Sequence, residues 1–113
     1  MDTMMNRILE IRSYNLKSGT QAEFHRLVVA YSIPMLHRWE VDVVAYGPSP
    51  HDEDSYYLMR SYASLEDRQE SQDAFYSSDE WRQGPREAIL ALIEATTSAV
   101  IEVNEETLNG LRR

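Results

Sequence analysis

Strand-like and helical runs alternate along this chain in an order that leaves few folds open. Arg7–Leu16 reads as a strand, and an amphipathic helix starts near Thr20. Strand-like runs follow at Glu40–Gly47 and Ser55–Tyr62, then helical stretches between Ser64 and Ala95, then a last strand at Thr96–Asn104. The order is β-α-β-β-α-β, the split pattern of ferredoxin-like folds. Strands two and three make a hairpin, and strand one lies between strands three and four. The predicted class is therefore α+β, with an antiparallel sheet in the order 4-1-3-2 and both helical stretches on one face. The other face is apolar and bare in a single chain, so a partner sheet is expected to cover it.

Length and charge narrow the function. At 113 residues the chain makes one domain, 1–113, with a core expected over 7–104 and frayed ends at 1–6 and 105–113. The net charge of −8 repels polyanions, so neither nucleic acid nor an anionic membrane is an expected partner. The absence of cysteine removes thiolate chemistry and zinc–thiolate sites, and fits a reducing, cytoplasmic compartment. Met1–Asn6 has no apolar core, so no signal peptide is expected, and no run approaches the length of a membrane-spanning helix.

Local signals set the phase of each element. Thr20 and Glu23 have capping-box spacing, and Phe24, Leu27, Val28, Tyr31 and Met35 recur at helical spacing facing the sheet. Pro34 predicts a kink or restart near Ser32–Ile33. In the second strand Val41, Val43 and Ala45 alternate with Asp42, Val44 and Tyr46. Ser64 and Asp67 repeat the capping pattern, and Glu66–Glu80 reads as a charge-rich solvated stretch. Gly84-Pro85 breaks it before an apolar helix around Ala88, Ile89 and Leu92.

Several residues could carry chemistry. His37 is the best single candidate for acid–base work, because imidazole titrates near neutrality; the competing reading is a surface histidine at a helix C-terminus. His25 reads as a boundary residue and His51 as solvated. Tyr14, Tyr46 and Tyr62 are candidate pocket residues, since phenols both stack and hydrogen-bond. Strand parity puts Glu10, Arg12, Arg60 and Glu102 on one sheet face. They form either an ion-pair network at a dimer interface or an anion clamp in which Arg60 polarises a substrate. The first is favoured, because two acids balance two bases. Trp81 is expected to plug space under the second helical stretch. Acid and histidine side chains are not clustered at metal-ligand spacing, so no metal and no cofactor is expected.

The segments Glu10–Leu16, Lys17-Ser18-Gly19 with Phe24, Pro34, Leu58–Arg68 and Asp79-Glu80-Trp81 together resemble the NIPSNAP family over roughly Arg7–Asn104. The chain departs from the family at His37-Arg38-Trp39-Glu40, where a glycine is usual, and in the loop Gly47–Asp54. The resemblance implies a ferredoxin-like dimeric α/β barrel and a homodimer formed by sheet-to-sheet packing. The expected function is binding of a small apolar or aromatic molecule, with cofactor-independent oxygenase or isomerase activity as its catalytic form. The alternative is a non-catalytic binding or assembly module acting through its surface.

Overall fold

The computed structural model describes Asn6–Arg113; residues 1–5 of the terminus read as frayed and leaderless lie outside it. The strands are β1 (Asn6–Leu16), β2 (Asp42–Pro48), β3 (Ser55–Tyr62) and β4 (Ile93–Asn104). Between β1 and β2 run α1 (Gln21–Leu27), a π-helical turn (Val28–Ser32) and α2 (Ile33–Arg38). Between β3 and β4 run α3 (Leu65–Tyr76), α4 (Asp79–Arg82) and α5 (Arg86–Leu90), and α6 (Glu105–Leu111) follows β4. The strands form one antiparallel sheet in the order β2-β3-β1-β4, a ferredoxin-like topology.

The expected barrel is not there. β2 and β4 are the two edges of an open sheet, which does not close on itself, and a second subunit is no part of the structure. The face opposite the main helical layer is also not bare. Residues 105–113, expected as a frayed end, carry α6, which packs across that face. Leu108 is fully buried against a small cluster with Leu9, Val44 and Ala45. Asn104 caps this helix, its side-chain oxygen accepting from the Thr107 amide at 2.8 Å. β4 starts at Ile93, earlier than expected, and Val100 and Ile101 on it are exposed.

Two local irregularities re-phase the core. β2 pairs Val43 with Arg60 but Ala45 with Met59, so Val44 is the extra residue of a bulge. Parity changes there. Val41 and Val43 face the helices, whereas Val44 and Ala45 share the opposite face and Tyr46 returns to the helical side. The expected grouping of Ala45 with Val41 and Val43 fails for this reason.

The first helix is re-phased as well. Pro34 has no amide proton, and the wide turn just before it removes the helical hydrogen bond that proline cannot make. Its extra residue turns Tyr31 outward, to 49% exposure, and brings Ile33 and Leu36 into the core with Met35. Capping differs between helices too. The Thr20 hydroxyl donates back to the Lys17 carbonyl at 2.7 Å and does not cap α1. Ser64 does cap α3, accepting from the Asp67 amide at 3.0 Å while the Asp67 carboxylate accepts from Ala63.

The exit from α2 is a Schellman motif. The Val41 amide donates to the Leu36 carbonyl at 2.9 Å, and the Glu40 amide to the His37 carbonyl at 3.0 Å. This geometry needs a left-handed residue, and Glu40 supplies it at φ 59°. That is the place where the sequence lacks the usual glycine.

Candidate functional site

The helix-facing side of the sheet carries a cluster of charge. β1 contributes Glu10 and Arg12, and β3 contributes Arg60 directly opposite Glu10 in the ladder. Glu10 is 0% exposed and Arg60 1%. Arg60 donates through Nε at 3.0 Å and Nη2 at 2.5 Å to one oxygen of the Glu10 carboxylate. The other oxygen accepts from Arg68 through Nε at 2.9 Å and Nη2 at 2.6 Å, and from Gln72 Nε2 at 2.7 Å. The Arg12 Nη2 stands 3.8 Å from the same oxygen.

Burial alone would raise the pKa of Glu10. Arg60, the Gln72 hydrogen bond and Arg12 outweigh it and hold the carboxyl at about 2. Burial likewise opposes the charge of Arg60, but the surrounding Tyr76, Tyr62 and Glu10 raise its pKa, so it stays cationic.

The cluster is not charge-balanced. Glu102 shares the sheet face through its pairing with Ile8, yet it lies exposed on the edge strand, and among the described residues no ion pair joins it to Arg12 or Arg60. Arg68 takes part instead. Three guanidiniums thus gather around one carboxylate. The donors that Glu10 does not use converge on Tyr76, whose hydroxyl oxygen accepts from Arg12 Nη1 at 3.0 Å and Arg60 Nη1 at 2.9 Å. This cluster faces the helical layer, not the face on which a partner sheet was expected.

Arg68, Gln72 and Tyr76 were hidden in the stretch read as solvated. They recur every four residues along α3, so one polar line of this helix points at the sheet, with Phe75 buried beside its end. The signal was present as spacing, but polar side chains at that spacing do not register as an inward face.

Beside the charge cluster lies a small enclosed cavity of about 40 Å³. Its walls are mostly apolar. Phe24, Val28, Ser32 and Leu36 form one side. In an ideal α-helix each four-residue step overshoots a turn by about 40°, so such a row drifts off the sheet. The π turn, wider because its bonds run from i to i+5, offsets that drift and holds the row in place. Trp81, Phe75, Tyr56 and Leu58 add to the walls, and Tyr14, Arg60 and Tyr76 make the polar end. Trp81 therefore fills space under the second helical stretch and also borders the cavity. Burial, with a smaller contribution from Tyr76, pushes the Tyr14 phenol up to about 12.

The remaining candidates fall as follows. Tyr62 is buried, and its hydroxyl accepts from Gln72 Nε2 at 3.3 Å. Tyr46 packs half-buried against the main core, away from the cavity lining. His37 is exposed in the last turn of α2 and does not line the cavity. His25 is half-buried, with its Nδ1 2.6 Å from the Tyr56 hydroxyl, and His51 sits in the exposed loop 2.6 Å from the Ser49 hydroxyl. Among the described residues no group of three or more acid or histidine side chains is placed to hold a metal ion. No helix of the described residues is long and apolar enough to cross a membrane.

Known proteins place this architecture. A NIPSNAP family protein from Agrobacterium tumefaciens str. C58 superposes with a TM-score of 0.83 at 21% identity, over 93% of this chain and 92% of that one. A second NIPSNAP family protein from the same organism, of unknown function, gives 0.78 at 22% identity, over 87% of this chain and 88% of that one. An uncharacterized NIPSNAP-like domain protein from Burkholderia xenovorans gives 0.77 at 20% identity, over 84% of this chain and 83% of that one. At these identities the likeness is one of fold. No curated protein matches the sequence. The NIPSNAP family profile matches residues 9–104, from within β1 to the end of β4, and the chain belongs to the NIPSNAP family.

Proposed function

We propose that this NIPSNAP-family protein binds a small apolar or aromatic molecule in the cavity between the sheet and the helical layer. The observation that carries the reading is an enclosed, aromatic-walled space ending on a buried cation, Arg60. Binding sites combine apolar walls with a few fixed polar groups in this way. Arg60 is held rigidly by Glu10, and Tyr14 keeps its proton well above neutral pH. A developing oxyanion would meet a fixed charge and a phenol donor, which is what a cofactor-independent oxygenase or isomerase requires. The net charge of −8 favours such a ligand over nucleic acid, and the cysteine-free composition favours a cytoplasmic location.

Self-association is proposed alongside, supported by Val100 and Ile101 exposed on the unpaired edge strand β4. His37, as acid–base group, would act from the surface beside the end of α2. Turnover retained in His37→Ala would remove it from the mechanism. The alternative, a non-catalytic module acting through its surface, draws on the small size of the cavity.

A native mass spectrum of the purified protein, followed by a denaturing one, tests the main reading. Extra mass lost on denaturation is the expected result. A protein that carries no extra mass and takes up no small molecule when offered a panel would overturn it.

A further inference from the structure

Tyr76 occupies an unusual position in this site. Its ring borders the enclosed cavity on one side. On the other side it borders two open surface clefts, one with Arg82 and Arg86 and one with Gln69 and Asp73. It is the wall between inside and outside. It is also the last residue of α3, half-buried, and followed by the turn at Ser77–Ser78. Its hydroxyl is the shared acceptor for two guanidiniums, Arg12 and Arg60, whose remaining partner Glu10 already accepts from Arg60, Arg68 and Gln72. A neutral phenol oxygen is a weak acceptor for two cations. An anionic oxygen in the same place would form ion pairs with both guanidiniums, whose charges a phenol oxygen leaves unbalanced.

We propose that the cavity's ligand is an anion with an apolar body, a small aryl or alkyl carboxylate, and that its anionic oxygen takes the place of the Tyr76 hydroxyl on Arg12 and Arg60. The inference rests on the cavity being the binding site and names the class of molecule it takes. Tyr76 is then both door and placeholder. With the ring inside, the two guanidiniums are satisfied and the space of about 40 Å³ admits only a few water molecules. When the ring swings toward the surface clefts, the same movement opens the cavity and frees the two Nη1 groups. The apolar row of Phe24, Val28 and Leu36 receives the body of the ligand, and the anion completes a cluster that holds three guanidiniums against one carboxylate.

The test uses the whole protein and the fluorescence of Trp81, which borders the cavity. Benzoate, phenylacetate and hexanoate are titrated in parallel with their uncharged amides. At least one carboxylate is expected to bind about tenfold or more tighter than its amide, as charge-assisted bonds require. Arg12 is the less buried of the two cations, so Arg12→Gln is the variant of choice, and it should cut that preference severalfold, with Arg60 still in place, while leaving amide binding unchanged. Tyr76→Phe keeps the ring and removes the placeholder oxygen. Carboxylate affinity should rise by about fivefold, since the bound anion now satisfies donors that are otherwise unpaired.

Circular dichroism and urea curves on both variants separate loss of binding from loss of folding. Equal binding of carboxylate and amide would overturn the anion inference and leave the cavity as a binding site. A preference undiminished in Arg12→Gln, or an affinity lowered by Tyr76→Phe in a folded protein, would also overturn it. If no probe binds, the inference fails. The broader small-molecule reading then stands or falls separately, on the mass released in the native spectrum.

Discussion

Replacing Glu10 with glutamine removes one charge from the centre of the ion cluster and almost no volume. Glu10 is fully buried and accepts hydrogen bonds from Arg60, Arg68 and Gln72. Its carboxyl is lowered from the ordinary 4.5 to about 2, because Arg60, Gln72 and Arg12 together overcome the burial that would raise it. A lowering of that size corresponds to about 3 kcal/mol of preference for the charged form in the folded protein. Glutamine also turns an amide donor toward donors on Arg68 or Gln72, and it leaves the buried Arg60 without its counter-charge. Breaking such a pair from one side costs about 3–5 kcal/mol.

Urea unfolding at pH 7 should show a loss of that order. The pH dependence provides the sharper check. The folded-state pKa lies below the unfolded one, so the contribution is complete above about pH 4.5 and is lost as pH falls through about 2. The gap between wild type and Glu10→Gln should therefore narrow between pH 5 and pH 3 and nearly close at about pH 2. A variant within about 1 kcal/mol of wild type at neutral pH would refute the reasoning. So would a gap that does not change with pH, since the loss would then come from packing and not from charge.

Other predictions concern single contacts. Glu40→Gly should stabilise the fold by about 1 kcal/mol, because glycine adopts the left-handed conformation at φ 59° without the Cβ clash; a lower urea midpoint would count against strain at this turn. Tyr56→Phe removes the hydrogen bond to His25 and should cost about 1 kcal/mol at pH 7, read by chemical denaturation; an unchanged midpoint would mean the bond adds nothing. Leu108→Ala should cost about 2–4 kcal/mol and raise hydrogen exchange across Glu105–Leu111, whereas an unaffected stability would detach α6 from the core.

Much of the architecture is written in periodicity. Alternation along Arg7–Leu16 and Ser55–Tyr62 is enough to mark two strands and to put Glu10, Arg12 and Arg60 on a common face. The pairing of Ser64 with Asp67 announces α3 one residue before it begins. What lies across the core from those charges is not legible in this way. Arg68, Gln72 and Tyr76 reach Glu10 and the arginines from another element, and no local pattern says which polar residues of a helix turn inward. The bulge at Val44 and the wide turn at Val28–Ser32 escape for a different reason. Each inserts one residue into a hydrogen-bond ladder, and a pattern read with a fixed period then misplaces side chains such as Ala45 and Tyr31. α6 is too short for periodicity to mean much, and the tertiary contact of Leu108 decides its fate.

The wide turn before Pro34 ties the length of the first helical stretch to its proline. A deletion of one residue within Val28–Ser32 would let the turn relax toward regular helical bonding, although Pro34 would then sit in the middle of an unbroken helix. The far side would keep its phase relative to α1, since the wide turn takes up its extra residue locally. Leu36 would stay over the core, but Pro34 would cost the unbroken helix a hydrogen bond and set its ring against the carbonyl four residues back, a penalty of about 3 kcal/mol. The turn is thus an expansion joint: it accommodates one extra residue and one proline together, and removing either alone leaves the other out of place.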